Sequence, residues 1–497
     1  MVEEDTVREP QVGRSAARAK WLTLAVVGSG TFMSALDGSI VNIALPAIAQ
    51  ATGSAVSTVE WVALAYLITV SASVFVFGHL SDIYGKRRIY LLGLAVFVAG
   101  SLFCGLSGRV GPLILARAVQ AVGAAMLFAL SPAILVGAFP PDERGRALGG
   151  KAPTRIAGLS AFPPDERGRA LGLQATMTYL GLVAGPGLGG LLIDAWGWPA
   201  IFFVNVPVGL ATMWAAGRVL NSDRPAAGQL FDPAGAASLA LALGGLLLAL
   251  SKGGEWGWSH PAIVGLVSAA ACCAAAFVAV ERRQAHPAID LGLFRDRGFA
   301  TSVLASYLCY LASASVGFLM PFLLVWAEGC SASHAGLVMM AVPVAMMLLT
   351  GPSGALSDRI GVRLLATSGL VVMAAGVLLL SFVGLGGSSV LRASCLALIG
   401  VGTGLFTSPN NSAIMGAAPL ERRGVAGAIL SATRTVGFAT GVAVAGIVYQ
   451  AGLRASGDGA TPQAIEFAVR VGLQLTAVAV LAGAACSAVR GGAGEER

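Results

Sequence analysis

The chain has 497 residues, 56% of them hydrophobic and 11% charged, with a mean hydropathy of +0.79. One water-soluble core cannot absorb that much apolar surface, so lipid is the expected solvent, and the 66 glycines suit it because small residues let helices approach closely in a bilayer. The net charge of +7 does not point to nucleic acid, since the basic residues are scattered through short loops between apolar runs.

In chain order, residues 1–20 form a polar tail carrying Arg8, Arg14, Arg18 and Lys20. The apolar run that follows is too long for a signal-peptide core and lacks a convincing cleavage site, which predicts a retained first span. Stretches long enough to cross a bilayer number about fourteen. They start near Trp21, Val59, Ile89, Pro112, Ala170, Pro199, Ala234, Pro261, Ala300, His334, Leu364, Val390, Val425 and Glu466. With the N-terminus inside, the external loops hold only Arg109, Lys252, Arg392, Arg454 and Arg470, and Arg117 and Arg434 lie within spans. All the other Lys and Arg fall on the cytoplasmic side, an asymmetry that predicts an even number of crossings with both termini cytoplasmic. The tryptophans, Trp21 to Trp326, lie near predicted span ends, where such rings anchor at headgroup level. Cys104, Cys272, Cys273, Cys309, Cys330, Cys395 and Cys486 show neither metal-ligand spacing nor a disulfide framework.

Two repeats stand out. Gly78-His79-Leu80-Ser81-Asp82-Ile83-Tyr84-Gly85-Lys86-Arg87 is echoed by Gly354 to Arg363 as GxLSDxxGxR, each in an inside loop, which indicates a duplicated chain. Two six-span halves are expected, 21–220 and 299–490, with two additional helices and linkers in 221–298 and a short tail in 491–497. The other repeat, AFPPDERGRALG, occurs at Ala138 to Gly149 and at Ala161 to Gly172 within the cytoplasmic loop 138–172. A tandem duplication explains it, and lengthening such a loop costs little, roughly 0.6 kcal/mol per doubling.

Three groups of residues carry chemistry at lipid depth. Asp37 sits sixteen residues into its span, about 24 Å along it, where an acid costs roughly 2.5–3.5 kcal/mol on insertion scales and is a functional candidate by default. It is either a carboxyl that loads and releases a proton or a structural acid bonded to a neighbouring helix. Arg117 is the natural counter-charge, in a coupling pair or a structural one. Gly181, Gly185 and Gly189 share one helix face, Gly190 extends it, and Pro186 frees the carbonyl of Leu182, so this helix is tightly packed and bendable, as plain packing or a gate requires. Ser408-Pro409-Asn410-Asn411-Ser412 interrupts the twelfth span and Arg434 lies buried in the thirteenth; they line a cavity or bond helix to helix.

The Gly78 to Arg87 loop resembles the signature cytoplasmic motif of the major facilitator superfamily. Leu36-Asp37-Gly38-Ser39-Ile40-Val41-Asn42-Ile43-Ala44-Leu45-Pro46 resembles the first-span motif of its fourteen-span drug:proton antiporter branch. Arg117-Ala118-Val119-Gln120-Ala121-Val122-Gly123 and the run from Gly181 through Gly185-Pro186 to Gly189-Gly190 resemble its fourth- and fifth-span motifs. The sequence departs at Ala121, where glycine is usual, and at Trp196-Gly197-Trp198, which lacks the usual central arginine.

This resemblance implies an all-α integral membrane protein of the major facilitator fold, with two six-helix halves and two extra central helices, in the cell (inner or plasma) membrane. It implies proton-driven export of small organic molecules, with Asp37 and Arg117 coupling the proton and Gly181, Gly185, Pro186, Gly189 and Gly190 gating. Gly78, Asp82, Gly85, Lys86, Arg87 and Asp358 would form a cytoplasmic latch, while Asn42, Gln120, Asn410, Asn411 and Arg434 are candidates to line the cavity. The partners implied are a small organic substrate, protons and lipid, with no nucleic acid, no obligatory protein partner, no metal and no cofactor beyond the proton gradient. An importer on the same fold is the alternative. A membrane-embedded enzyme is more remote, because no cluster of nucleophiles, metal ligands or paired acids lies at lipid depth, and no Walker loop suggests ATP drive.

Overall fold

Apolar runs in lipid must satisfy their backbone groups internally, and helices do so within one segment. The computed structural model describes residues 10–136, 167–220, 233–281, 291–419, 423–456 and 460–489, and contains no strand among them. The tandem AFPPDERGRALG repeat lies outside the described residues up to Glu166.

The first six crossings are α1 Pro10–Thr52, α2 Val56–Tyr84, α3 Lys86–Leu106, α4 Val110–Val136, α5 Arg167–Trp196 and α6 Asn205–Val219, the last preceded by the single turn Ala200–Phe203. Two further helices follow, α7 Pro233–Trp256 and α8 Pro261–Glu281. The last six crossings are built from α9 Arg297–Pro321, α10 Ala332–Met339 with α11 Ala341–Ile360, α12 Val362–Ser381, α13 Ser389–Ala417, α14 Arg423–Ser456 and α15 Pro462–Ala488. Among the described residues, 13 helices are long and apolar enough to cross a membrane. The remaining expected crossing corresponds to α7, whose 24 residues reach about 36 Å.

Three details depart from the sequence reading. α1 starts at Pro10, ahead of the apolar run, and passes through Pro46 without ending. α9 closes in a π-helical turn, Phe322–Ala327. The tenth crossing is broken at Met340 into α10 and α11.

The duplication read from the loops extends through the packing. α1 lies on α5, α3 on α4 and α2 on α4 in the first half; α9 lies on α14, α12 on α13 and α11 on α13 in the second. The two GxLSDxxGxR turns share their backbone conformation and two hydrogen bonds. Gly85 and Gly361 take φ of 90° and 88°, values that L side chains rarely adopt, and each donates its N–H to a carbonyl four residues back, Ser81 and Ser357, at 3.0 Å. The Ser81 hydroxyl in turn donates to the Gly78 carbonyl at 2.6 Å and the Ser357 hydroxyl to Gly354 at 2.7 Å. α7 packs against α2 of the first half and α14 of the second, so it spans the seam, whereas α8 packs on α7 and is largely exposed.

The helices run alternately between two ends of the bundle, called here the Gly53 end, after the α1–α2 turn, and the Gly85 end, after the α2–α3 turn.

Candidate functional site

The sequence places one acid deep in α1 and one arginine deep in α4, and the fold brings them together. Asp37 Oδ2 accepts from Arg117 Nη1 at 2.6 Å, with the two side chains 0% and 1% exposed. A charge pair withdrawn from water needs further hydrogen bonds to offset desolvation, and they are supplied by Gln120 of α4 itself and by three other helices. Asp37 Oδ1 accepts from Gln120 Nε2 at 2.8 Å and Asn205 Nδ2 at 3.0 Å. Arg117 donates from Nε to the Val62 carbonyl at 3.1 Å and from Nη1 to Gln120 Oε1 at 2.6 Å, and its guanidinium lies 4.2 Å from the centre of the Tyr66 ring. Gln120 Nε2 also donates to Ser101 Oγ at 2.7 Å. One carboxylate thus sits at the junction of α1, α2, α3, α4 and α6, all in the first half.

Sequence reasoning reached Asp37 and Arg117 but missed Asn205, Ser101 and Tyr66. Asn205 carries a signal, since it stands alone between Val204 and Val206 at the start of an apolar run; Ser101 and Tyr66 carry none. Gln120, expected on a cavity wall, is fully buried in this network. Asn410 is corrected likewise: it is 0% exposed and donates to the Ser302 carbonyl at 3.1 Å and the Ser306 hydroxyl at 2.8 Å. Its amide nitrogen joins α13 to α9, the fourth and first helices of the second half, so it occupies there the place that Arg117 and Asp37 occupy in the first.

Arg434, read as buried, is exposed on α14, although it lies within a membrane-crossing segment. Asn411 is partly exposed, as is Asn42, whose amide faces Gly317 of α9.

The glycines of α5 divide between two partners. Gly181, Gly185 and Gly189 abut α1: a side chain begun at Gly185 would meet Ser39 Oγ at 1.8 Å, and one at Gly181 the Phe32 carbonyl at 2.5 Å. Gly187 and Gly190 instead face the other half, where Cβ atoms would fall 2.4 Å from Met340 Sδ and 2.2 Å from the Ala332 carbonyl. Pro186 belongs to this second face, its carbonyl lying 2.1 Å from a Cβ built on Gly336. α5 remains one continuous helix through Pro186.

At the Gly53 end of the same face, Asp194 reaches across the seam to the start of α10. Its carboxylate accepts from the backbone N–H of Ala332 at 3.1 Å and of Ser333 at 2.8 Å, and from the Ser333 hydroxyl. An acid at a helix N-terminus satisfies orphan donors and complements the helix dipole. Glu60 of α2, 1% exposed, presses on Gly446 of α14 in the same seam. The halves are therefore closed on each other toward the Gly53 end.

Of the expected latch, Lys86 Nζ donates to the Ala133 carbonyl at 3.4 Å and Arg87 Nη2 to the Gly217 carbonyl at 2.5 Å, both within the first half. The side chains of Asp82 and Asp358 lie outside the described residues.

A duplicated bundle of apolar helices, closed at one end of its seam and carrying a buried ion pair deep in its first half, defines a polytopic membrane transporter for small molecules. The chain belongs to the Major Facilitator Superfamily, whose sequence profile matches residues 27–151, 159–278 and 302–488. It is 32% identical over 427 residues to the riboflavin transporter RibZ of Clostridioides difficile, covering 86% of this chain and 87% of that one. It is 33% identical over 445 residues to the multidrug resistance protein Stp of Mycobacterium tuberculosis, covering 88% and 78%. Its fold is similar to that of a bacterial homolog of the human lysosomal transporter Spinster, with a TM-score of 0.66 at 14% identity over 95% of this chain and 97% of that one.

Proposed function

We propose that this protein is a proton-coupled antiporter that exports small organic molecules from the cell by alternating access, with no cofactor beyond the proton gradient. The observation that carries this reading is the Asp37–Arg117 pair, a titratable carboxyl held out of water between charged and neutral donors. The likeness to the resistance protein Stp favours export of foreign compounds.

In this reading the basic loops place the Gly85 end, with both termini, in the cytoplasm, so the present arrangement opens inward. Asp37 is held here by Arg117, Gln120 and Asn205. Opening of the seam at the Gly53 end admits a proton to Asp37 from outside; neutralising it removes the attraction to Arg117 and resets the packing of α1 against α4. One proton entering down 100 mV supplies roughly 2.3 kcal/mol, about a 50-fold gradient of a neutral cargo. The Gly187–Gly190 face and Asp194 act as the external gate, and the two GxLSDxxGxR turns as the cytoplasmic latch.

The test is gradient-driven transport in proteoliposomes. Asp37→Asn abolishes proton-driven movement of an exported dye in protein that, though destabilised by the unpaired Arg117, still inserts and still binds the dye without a gradient; full transport by this variant would refute the coupling role. The likeness to RibZ favours a second reading, a transporter of a heteroaromatic solute such as riboflavin. Riboflavin flux with the proton gradient imposed in each direction separates the two, since an antiporter moves cargo against the proton flow and an importer with it.

A further inference from the structure

We infer that the gap between the halves holds a binding site for an aromatic anion, in which the Arg434 guanidinium pairs with the anionic group while Phe438 of the second half, backed by the buried Tyr310, and Tyr179 of the first embrace the ring. The inference rests on the exporter reading above and names its class of cargo.

Arg434 is the starting point. It lies eleven residues into α14 from the Gly85 end, about 16 Å deep, and is exposed there, with no carboxylate partner among the described residues. A cation at that depth faces a water-filled cavity or a partner rather than acyl chains. The contacts of its helix settle the direction. Gly437, one turn on, lies so close to α9 that a side chain would meet the Tyr307 carbonyl and Tyr310 Cβ, both at 2.9 Å. Phe438, on the same face as Arg434, sets its ring 5.5 Å from that of Tyr310 at 45°. Arg434 and Tyr179 both lie near enough to the Tyr310 hydroxyl to act on it electrostatically. Tyr179 is on α5, in the opposite half, and is partly exposed. Counted from the Gly85 end, Tyr179 and Tyr310 are twelve and thirteen residues along their helices, about 18 and 20 Å deep, level with Arg434.

The chemistry of this cluster selects its ligand. A planar guanidinium offers paired donors that match a carboxylate or similar oxyanion, and aromatic rings on both sides favour a flat conjugated body. Asp37 and Glu60, acids within the first-half spans, are 0% and 1% exposed, so neither presents a counter-charge to cationic cargo. Closure of the seam brings Tyr179 and Phe438 toward each other, so the bound ring reports directly on the position of the halves.

The experiment is equilibrium binding to the purified full-length protein in lipid nanodiscs, without any gradient, using two dyes that share a xanthene ring: fluorescein, an anion, and rhodamine 123, a cation. Fluorescein binds at least 10-fold more tightly than rhodamine 123. Arg434→Gln weakens fluorescein at least 10-fold and leaves rhodamine 123 unchanged, Arg434→Lys recovers part of the loss, and Tyr179→Leu weakens both dyes. Equal or tighter binding of rhodamine 123, no measurable binding of either dye, or an Arg434→Gln variant that holds fluorescein normally would overturn the proposal. Should Arg434→Gln prove unstable, the preference between dyes in the native protein and the Arg434→Lys variant still decide it. Because no gradient is applied, failure here leaves the coupling role of Asp37 standing, and failure of Asp37→Asn to abolish transport leaves this site standing.

Discussion

At the scale of single residues, Arg117 and Arg392 show how a buried guanidinium becomes part of the structure. Removing Arg117 leaves the Asp37 carboxylate in a site with no solvent to receive it, and one-sided removal of a buried pair costs about 3–5 kcal/mol. Arg117→Ala therefore lowers thermal stability sharply in detergent, and Asp37→Asn/Arg117→Gln restores much of the loss. Additive effects in that double-mutant cycle would show that the pair is not coupled. Arg392, read from sequence as an external loop residue, instead sits in the first turn of α13, 1% exposed, donating to the Gly387 and Gly384 carbonyls at 2.7 and 2.8 Å and pairing with Glu328. Burial raises the Glu328 carboxyl above its usual range, and Arg392 opposes that rise. With Arg392→Gln the opposition is gone, so the folded form binds the Glu328 proton more tightly than the unfolded chain does. The destabilisation is then largest near neutral pH and fades as the pH falls through the carboxylate range, which melting curves across that range check; a pH-independent loss would exclude Glu328 as the cause. Asp37 and Arg117 were legible in the sequence because a charge inside an apolar run is conspicuous. Arg392 was not, because its position at the end of a run looks the same whether the side chain points into water or into the bundle.

At the scale of helices, periodicity and loop charge were enough to place the crossings, and the repeated GxLSDxxGxR turn was enough to pair the halves. The break at Met340 and the π turn after α9 went unread, since both lie inside uninterrupted apolar sequence. The division of labour on α5 was also hidden: the small-residue spacing marks one close face, but the second, formed by Pro186, Gly187 and Gly190, depends on which helix arrives from the other half. That second face carries a sharp consequence. A methyl group added at Gly336 would lie 2.1 Å from the Pro186 carbonyl, inside any van der Waals contact, so α5 and α10 must part. Overpacking of this kind costs about 1–3 kcal/mol, enough to shift a two-state equilibrium roughly 5- to 150-fold. In Gly336→Ala, spin labels at Ser54 and Ser388 in a cysteine-free background move apart, as pulsed dipolar spectroscopy would record; an unchanged distance distribution would mean the seam yields elsewhere.

At the scale of the whole molecule, the repeated AFPPDERGRALG segment offers a clean test of how much the connection between α4 and α5 matters. Deleting Gly150 to Gly172 joins Gly149 to Leu173, so that Arg144 to Gly149 replace the identical Arg167 to Gly172 at the start of α5. Because the entropy of a long loop changes slowly with length, dye export by this variant equals that of the native protein; a large gain would mean that the insertion slackens the first half. The two halves are alike in pairing and turns yet unlike at one place. Where the first has the Asp37–Arg117 ion pair, the second joins its corresponding helices through Asn410, Ser302 and Ser306, all uncharged groups. Under the function proposed above, the proton acts on the α1–α4 pair while Arg434 and Phe438 of α14 meet the cargo, so that mutations on α14 alter the range of compounds carried and leave the proton-driven step as it was.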